Sequence, residues 1–413
     1  MQSSGKPAKK ARYGIIVFSH LRWSFVWQRP QQFLSRFAAG HPILFVEEPC
    51  FDLPEGEAPK LILDTVMDNV TVAAIHVPAS SRADASLPTW LRTLTTEAIA
   101  AVNSDGAFDD PLLWFYSPME SSWSLGYFKN RGVVYDCMDE LSQFRGAPSE
   151  LVHNEARLLA HADIVFTGGY ELWLKKKKQH QNVHFFGCGV EYKHFALAQD
   201  PRTPIPEDLQ VLRDQGRPIL GWFGVVDERV NYPLLEAMSQ LRPDWAFVMV
   251  GPVVKVDPAE LPQAPNLHWL GGRDYKVLPN YCRGFDVCMM CFALNEATEY
   301  INPTKALEYL ATGKPVISTP VRDVVRQYSD LIDITEDPAE FVRLADRAIN
   351  HPDEAKIKAG IERARMSSWE STVAQMRLLI SQAIEERRVF ESDKAQLAAP
   401  PGLHLSATGA NIS

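Results

Sequence analysis

The sequence predicts an α/β fold made of two doubly wound parallel sheets, and three observations support this. Short apolar runs recur along most of the chain, as in strands that are buried on both faces of a parallel sheet. Helical patterns alternate with these runs, which is the order of elements in βαβ units. A segment rich in proline and acidic residues, AQDPRTPIPEDLQ at 198–210, separates the two halves.

In the first half, Tyr13 begins the first predicted strand, YGIIVFS. The further strands are predicted at PILFVEE, VTVAAIHV, PLLWFYS, GVVYDCMDE and ADIVFTG. Helical patterns lie between them, around residues 90–102 and 149–161. This alternation indicates one α/β domain before the linker.

A cluster of polar and aromatic side chains follows the first strand. Ligands of open α/β sheets bind beyond the carboxyl ends of the strands, so we expect this cluster to face a ligand. Its members are His20, Arg22, Trp23, Gln28 and Arg29. His20 comes directly after the strand and is the least ambiguous of them. For Trp23 and Trp27, core packing at helical spacing explains the pattern as well as stacking on a sugar does.

Three acidic residues lie at or just beyond the end of the strand GVVYDCMDE, namely Asp136, Asp139 and Glu140. One of them could face the ligand and orient an acceptor hydroxyl. Acids in a solvated turn before a helix would give the same pattern. Both interpretations stay open at this point.

Four lysines at 175–178 end a helical segment, YELWLKKKK. Cations are favourable at the negative end of a helix dipole, so a solvated helix end explains the run. The alternative is a contact with anionic lipid, to which each basic residue contributes on the order of 1 kcal/mol.

In the second half, the predicted strands are RPILGWFG, WAFVMVGP, NLHWLGGRDY, FDVCMMCFA and KPVIST. Gly221 and Gly224 bracket the end of the first of them, and VVDERVNYPLLEAM follows as a loop and helix. A further helix is predicted at VLPNYCRG. The second half therefore repeats the α/β organisation of the first.

The strand, loop, helix and strand between 285 and 319 predict a phosphate site. Asn302 fits the N-cap of the helix and Pro303 fits its first position, which leaves the amides of Thr304 and Lys305 free for an anion. Glu308 lies one turn further on the same face, where it could accept hydrogen bonds from ribose hydroxyls. Any parallel-sheet protein has units like this one, so the pattern alone leaves a surface helix equally open.

The residues from Pro303 to Val316 follow the pattern Pro, x, Lys, x, x, Glu, Tyr, Leu, Ala, x, Gly, Lys, Pro, Val. This pattern resembles the donor-binding signature of GT-B glycosyltransferases. The resemblance is strongest to the group 1, family 4-like retaining enzymes of bacterial polysaccharide or teichuronic acid biosynthesis. It implies two Rossmann-like domains that face each other across a cleft, with a C-terminal helix that returns to the first domain.

In that family, two glutamates eight residues apart flank the start of this helix. Glu308 matches the second of them, but Tyr300 stands at the first position. Glu299 and Glu296 are close enough to substitute for it on the donor sugar, and both stay candidates. The resemblance makes Glu299, with His20 and Asp139, a candidate catalytic group.

The family also places basic side chains on the donor diphosphate, soon after a glycine such as Gly224. Val225 stands at the first of these places and Arg229 near the second. The resemblance therefore implies that Arg229 and Lys305 share the neutralisation of the diphosphate. It places the base near Gly251 and the stretch from Gly271 to Arg273.

Two more segments carry the resemblance in the first half. WQRPQQ is similar to a cleft segment of one bacterial subgroup, and FFGCGVEYKHF resembles the exit from the first domain. We predict a leader at 1–12, an acceptor-side domain at 13–195, a linker at 196–215, a nucleotide-sugar-binding domain at 216–365, a return helix at 366–390 and a disordered tail at 391–413.

Composition narrows the class of protein. The net charge of -9 disfavours general binding of nucleic acid. No apolar stretch approaches the roughly 18 residues that span a bilayer, and the polar start lacks the apolar core of a signal peptide. A cytoplasmic location is expected, with a peripheral contact at the inner membrane face as an alternative. Cys288 and Cys291 form a CxxC inside an apolar run, which predicts core cysteines rather than a zinc site.

The predicted function is transfer of a sugar from a nucleotide-diphosphate sugar to a glycan or lipid-linked acceptor in cell-surface polysaccharide biosynthesis. No Asp-x-Asp loop and no His or Cys cluster at metal spacing is visible, so a metal-independent reaction without a cofactor is expected. A sugar-nucleotide epimerase of the same fold is one alternative. A degenerate transferase that binds a nucleotide-sugar or a partner without turnover is another.

Overall fold

The computed structural model describes residues 12–144 and 146–398, and two largely parallel sheets organise them. The first sheet has nine strands in the order β3-β5-β2-β1-β6-β7-β8-β9, with β4 paired antiparallel to β5. These strands are β1 (Ile15–Ser19), β2 (Ile43–Glu47), β3 (Cys50–Leu53), β4 (Lys60–Met67), β5 (Val70–Pro78), β6 (Leu112–Phe115), β7 (Gly132–Cys137), β8 (Ile164–Thr167) and β9 (Val183–Phe185).

The second sheet has six parallel strands in the order β12-β11-β10-β13-β14-β15. They are β10 (Ile219–Phe223), β11 (Ala246–Val250), β12 (Leu267–Gly271), β13 (Val287–Met290), β14 (Val316–Ser318) and β15 (Asp333–Ile334). In both sheets the chain winds outward in two directions from a central strand, β1 in the first and β10 in the second. The GT-B fold predicted from the sequence is therefore confirmed.

The helices of the first half cover the sheet faces or cap its edge. They are α1 (Arg29–Phe37), α2 (Leu87–Val102), α3 (Ser121–Ser124), α4 (Glu150–His161), α5 (Tyr170–Lys176) and α6 (Tyr192–Phe195). The later helices are α7 (Glu207–Arg213), α8 (Tyr232–Leu241), α9 (Leu278–Gly284), α10 (Lys305–Ala311), α11 (Arg322–Tyr328), α12 (Pro338–Asn350), α13 (Glu354–Met366) and α14 (Trp369–Ala398).

Strand burial explains why the apolar runs were readable in the sequence. Every residue of β1 and of β10 is buried, because helices cover both faces of each sheet. The strands β3 and β4 were not predicted, since β3 is short and most of β4 is exposed at the sheet edge. Their sequences lack the continuous apolar character of the inner strands.

The chain after 366 returns to the first half, as predicted. Trp369, Val373 and Met376 of α14 are buried in the core of the first sheet, and the ring of Trp369 meets that of Phe33 at 5.3 Å. Just before α14, Ser368 forms a parallel bridge with Val190, and the Val190 amide donates to the Ser367 carbonyl oxygen at 2.9 Å. The two chain crossings between the halves therefore run side by side.

Two predicted boundaries need correction. Residues 391–398, predicted to be disordered, continue α14, because Glu, Lys, Ala and Gln are strong helix formers even without an apolar face. The linker at 196–215 contains α7, whose Leu209 is fully buried in the core of the second sheet. Except for Arg12, the predicted leader lies outside the described residues, as do residues 399–413 of the predicted tail. The domain limits themselves stay predictions.

Candidate active site

A cavity of about 1230 Å³ lies between the carboxyl edges of the two sheets. It opens where each sheet changes winding direction, beyond the ends of β1 and β10, which is where doubly wound sheets bind ligands. Among the predicted site residues, those that line it are Trp23, Gln28, Arg29, Asp139, Gly224, Arg229, Arg273, Asn302, Pro303, Thr304, Lys305 and Glu308. Those that do not line it are His20, Arg22, Asp136, Glu296, Glu299 and Tyr300.

Lys305 reaches the cavity over a glycine. Gly224 has φ 138°, and a Cβ on it would lie 2.4 Å from Lys305 Nζ. The ammonium group stands 4.8 Å from the ring centroid of Trp222 and 5.7 Å from that of Phe292. Among the described residues it has no hydrogen bond or ion pair. Burial lowers the pKa of Lys305 to about 8, and the charge of Arg229 acts in the same direction.

Glu308 lines the cavity one turn beyond the start of α10, as predicted. Burial raises the pKa of Glu308 to about 7, while the neighbouring Lys305 opposes that rise. A carboxylate and an ammonium group therefore share one partly dehydrated wall. Both can change charge near neutral pH, which is uncommon outside functional sites.

The start of α10 differs from the prediction. Thr304 is the N-cap and Lys305 the first helical residue, so Asn302 and Pro303 lie before the helix. A residue that precedes proline is disfavoured in helical conformation, which accounts for the later start. The amides of Thr304 and Lys305 donate to no acceptor in the described part of the chain, so the expected free donors are present.

Asn302 is buried, and neither its side-chain oxygen nor its nitrogen has a hydrogen-bond partner among the described residues. Asn302 lines the cavity, and its two amide atoms are shielded from solvent. A buried polar group without a partner is costly in free energy. Asn302 is therefore not the helix cap that the sequence predicts.

Arg229 is held by an acid. Its Nε and Nη2 donate to the Asp227 carboxylate at 3.0 and 2.7 Å in a bidentate pair. Asp227 itself is buried. Arg229 still lines the cavity, so one carboxylate already compensates part of the positive charge that a ligand meets.

Arg273 also lines the cavity but is tied elsewhere. Its Nη2 donates to Asp208 at 2.8 Å and its Nε to the Tyr281 hydroxyl at 2.6 Å. Of Lys305, Arg229 and Arg273, Lys305 is therefore the one without a hydrogen bond or ion pair among the described residues.

The structure does not bring Glu296, Glu299 or Tyr300 to the cavity. Glu299 forms a 2.9 Å ion pair with Arg322, Glu296 is exposed, and the Tyr300 ring lies 5.0 Å from Lys175 Nζ. A turn causes this placement, because the Thr298 amide donates to Asn295 Oδ1 at 3.1 Å and closes the segment. Neither Glu296 nor Glu299 lines the cavity, and a substitute for the missing glutamate at either position stays a prediction.

On the opposite wall, Arg29 and Asp136 form a buried pair. Arg29 donates from Nε and Nη2 to Asp136 Oδ1 at 3.0 and 2.8 Å, and from Nη1 to the Phe186 carbonyl oxygen at 2.7 Å. Asp136 is fully buried, so it holds Arg29 rather than an acceptor hydroxyl. Asp139 is the predicted acid of this half that lines the cavity. Burial raises the pKa of Asp139, and the charge of Arg229 across the cavity partly offsets it.

In the loop after β1, some residues line the cavity and others lie behind those that do. Arg22 donates to Glu47 Oε2 at 3.0 Å, and the Trp23 amide donates to Glu47 Oε1 at 2.8 Å. Trp23 lines the cavity and also packs on Phe45 at 5.2 Å, so core packing is shown and stacking on a sugar stays a prediction. His20 lies behind this loop with an unpartnered Nδ1, and burial lowers the pKa of His20 to about 4.

Sequence reasoning missed a polar contact that joins the two walls. Gln32 Nε2 donates to Glu191 Oε2 at 3.1 Å and to the Tyr275 hydroxyl at 3.4 Å. The Tyr275 ring stacks on His194 at 4.7 Å. Glu191 and His194 lie in the segment FFGCGVEYKHF, which the sequence predicts only to be the exit from the first domain.

Two of the four lysines in the run at 175–178 pair with acids of the first half. Lys176 is fully buried and donates to Glu155 at 2.6 Å, and both Lys175 and Lys176 lie 3.1 Å from Glu140 Oε2. Glu140 therefore neutralises these lysines rather than facing the cavity. Cys288 and Cys291 are fully buried, which confirms their assignment to the core.

Two doubly wound sheets with a cation-bearing cavity between them define the GT-B fold. Residues 217–351 match the family model described as Glycosyl transferases group 1. This stretch contains Gly224, Arg229, Lys305 and Glu308, so the match confirms the resemblance drawn from the sequence.

A similar protein is known from Bacillus subtilis (strain 168), where it carries the name teichuronic acid biosynthesis glycosyltransferase TuaH. It is 28% identical over 205 residues, which cover 45% of this chain and 50% of that protein. The matched region thus spans about half the length of the relative.

Two solved structures share the fold. HepE of Anabaena, in complex with UDP and glucose, has a TM-score of 0.64 at 13% identity over 90% of this chain and 100% of that one. Sucrose-phosphate synthase from Thermosynechococcus elongatus has a TM-score of 0.64 at 16% identity over 91% of this chain and 100% of that one. At these identities the likeness establishes the fold.

Proposed function

We propose that the protein is a glycosyltransferase that uses a nucleotide-diphosphate sugar as donor and a glycan or lipid-linked molecule as acceptor. The observation that carries this proposal is the wall formed by Gly224, Lys305 and Glu308, inside the region that matches group 1 glycosyl transferases. A lysine without an internal anion beside free backbone amides suits a diphosphate.

The donor diphosphate would meet Lys305, the amides of Thr304 and Lys305, and Arg229. Positive groups fixed in a partly dehydrated site stabilise the negative charge that builds on a leaving diphosphate. Metal ions do this work in other transferases. We therefore propose metal-independent transfer, and the family pattern supports a retaining outcome.

Glu308 would accept hydrogen bonds from the ribose hydroxyls of the donor. HepE is a protein of this fold with UDP and glucose bound, which supports a uridine nucleotide as the first donor to test. The name of the Bacillus relative supports a role in cell-surface polysaccharide biosynthesis.

The acceptor would enter along Trp23 and Gln28 on the opposite wall. Asp139 is the acid best placed to orient its hydroxyl, because Asp136 is committed to Arg29 and Glu299 to Arg322. A raised pKa makes a carboxylate a better proton acceptor near neutral pH, which suits this role.

The decisive experiment measures release of nucleoside diphosphate from UDP-sugars, with and without glycan acceptors. Lys305→Ala should lose activity and donor binding. Lys314→Ala is the matched control, because Lys314 also has a pKa lowered by burial but lies outside this cavity. Equal activity of the two variants would refute the proposal.

A second function is a degenerate transferase that binds a nucleotide-sugar without turnover. The observation that favours it is the displacement of Glu296, Glu299 and Tyr300 from the cavity. Donor binding by calorimetry together with no diphosphate release across an acceptor panel would establish this alternative.

Within the described residues, none of the helices is long and apolar enough to cross a bilayer. We propose a cytoplasmic location with peripheral contact at the inner membrane face, for which Lys177 and Lys178 remain exposed. Flotation with anionic and with neutral vesicles tests this. The proposed membrane contact would be supported if the protein binds anionic vesicles and if Lys177→Glu and Lys178→Glu abolish that binding. Equal binding to both vesicle types would contradict it.

A further inference from the structure

Three metal-ligating side chains meet at the edge of the first sheet. Cys50 and Asp52 lie on β3, and His76 lies on the neighbouring β5. One ligand atom from each lies within 4.8 Å of the other two. His76 Nδ1 is 2.8 Å from Asp52 Oδ1 and 3.0 Å from Oδ2. None of the three lines the large cavity.

Strand geometry creates the cluster. Cys50 and Asp52 are two residues apart on a strand, so their side chains leave the same face. His76 is the direct partner of Cys50 in the parallel pairing of β3 with β5. The two strands are far apart in the sequence, which is why spacing along the chain gave no metal motif.

The ligand types favour one metal. Thiolate, imidazole and a single carboxylate are the ligands of Zn²⁺, whereas Mg²⁺ and Ca²⁺ prefer oxygen ligands throughout. Zn²⁺ bonds of roughly 2.0 to 2.3 Å put ligand atoms about 3.5 Å apart in a tetrahedral site. Small side-chain rotations bring the three atoms to that spacing.

One of the two neighbouring cations reaches the site. Lys60 is the partner of His76 on β4, but its ammonium group pairs with Glu57 at 2.5 Å. Arg22 donates to Glu47 at 3.0 Å and also hydrogen-bonds the side chain of Cys50, so a bound ion would displace the contact between Arg22 and Cys50. Cys50 and His76 are half-buried and Asp52 is exposed, so an ion can enter from solvent.

We propose that Cys50, Asp52 and His76 bind one Zn²⁺ ion, with water as the fourth ligand. Binding releases the thiol proton of Cys50 to solvent, moves the ring proton of His76 from Nδ1 to Nε2, and replaces the hydrogen bond between His76 and Asp52 by two metal bonds. No electron is transferred. The site is distinct from the donor cavity and does not take part in the transfer reaction.

The position of the site gives the ion a structural role. Glu47, three residues before Cys50, accepts hydrogen bonds from Arg22 and from the amide of Trp23, and Trp23 lines the cavity. An ion on Cys50 and Asp52 fixes the turn that leads from Glu47 into β3. Zn²⁺ thereby steadies the loop along which an acceptor enters.

The test uses the untagged full chain, stripped of metal and titrated with Co²⁺ and Zn²⁺. We expect one ion per chain by equilibrium dialysis, a thiolate-to-cobalt charge-transfer absorption band, and a higher midpoint of thermal unfolding with Zn²⁺. Cys50→Ser should abolish the band, and His76→Gln and Asp52→Asn should weaken binding at least about tenfold.

Cys188→Ser is the matched control, because Cys188 is also half-buried but lies apart from this cluster. A band that survives Cys50→Ser, or one that Cys188→Ser removes, would overturn the proposal. So would the absence of stoichiometric binding. If Cys50→Ser fails to fold, Asp52→Asn provides the test, because Asp52 is exposed. A Zn²⁺ affinity unchanged in that folded variant would also contradict the proposed site.

Discussion

The side chain of Lys305 fills the space beside Gly224 that a Cβ would take. Any side chain at 224 therefore displaces the lysine from its position over Trp222. A Cβ would lie 2.2 Å from Lys305 Cε, which a flexible side chain can relieve only by moving. The residue type at the end of β10 therefore sets the position of a cation that lies on another element.

Gly224→Ala should weaken binding of UDP at least about tenfold, because a displaced Lys305 loses a charge-assisted hydrogen bond of roughly 1.5 to 3 kcal/mol. Calorimetry measures the affinity. Gly216→Ala is the control, since Gly216 also has a positive φ but an added Cβ would meet open space. Comparable weakening in both variants would attribute the effect to backbone strain.

Donor binding should have a maximum between pH 7 and 8. Glu308, with a pKa of about 7, is deprotonated above that value and then accepts hydrogen bonds from ribose. Lys305, with a pKa of about 8, is protonated below that value and then carries the charge that attracts the diphosphate. Affinity should therefore fall as the pH drops below 7 and also as it rises above 8, by up to about tenfold per unit.

This profile is measured with a UDP-sugar, whose diphosphate has no proton to lose in that range. Lys305→Arg should remove the alkaline decline alone, because arginine keeps its charge. Glu308→Gln should remove the acid decline alone and weaken binding throughout. A flat profile in the wild-type protein would count against both assignments.

Arg229→Ala should lower turnover by roughly 100- to 1000-fold and also destabilise the fold. Loss of a cation aimed at a leaving group costs about 2.7 to 4 kcal/mol in the transition state. The fold is affected because Asp227 is left buried without its partner. The double variant Arg229→Ala with Asp227→Ala should recover thermal stability but not turnover. If turnover recovers as well, Arg229 serves the fold alone.

Glu299→Gln should retain turnover within about threefold of wild type, whereas Asp139→Asn should reduce it by at least about 100-fold. Glu299 makes a largely exposed ion pair with Arg322, which contributes about 0 to 1 kcal/mol. Steady-state kinetics on both variants compares the two acids. The opposite ranking would show that the segment 295–300 rearranges to bring Glu299 to the donor.

Chelation with EDTA should leave turnover within about twofold in both the wild-type protein and Cys50→Ser. The diphosphate is neutralised by protein cations, and the proposed zinc site lies outside the cavity. A loss in both proteins that Mg²⁺ or Mn²⁺ restores would contradict metal-independent transfer. A loss confined to the wild type and restored by Zn²⁺ would instead show that zinc supports the acceptor loop.

The sequence was sufficient wherever one element determines the outcome. Burial on both faces made β1 and β10 recognisable, and the spacing of four residues placed Thr304 and Glu308 on one helical face. Sequence was insufficient where a contact joins distant elements. The meeting of Cys50 with His76 follows from sheet register, and the pairing of Arg29 with Asp136 follows from the packing of α1 beside β7. No local pattern in the sequence contains either contact.

The segment 295–300 shows a different limit. The spacing of eight residues from Glu308 directs attention to Tyr300 and its acidic neighbours, but a turn closed by Asn295 and Thr298 decides where they point. Residues close to a motif in the chain are thus not necessarily close to its ligand.

The paired crossings at Val190 and Ser368 limit how the two halves can move. The Val190 amide donates a hydrogen bond to the Ser367 carbonyl oxygen, and Trp369 packs closely against Gly189. The two crossing segments therefore bend together rather than independently. Two paired segments bend together more readily than they twist. The cavity can therefore open and close while the same residues of its two walls keep facing each other. The hydrogen bond between Gln32 and Tyr275 would then break each time the cavity opens and form again each time it closes.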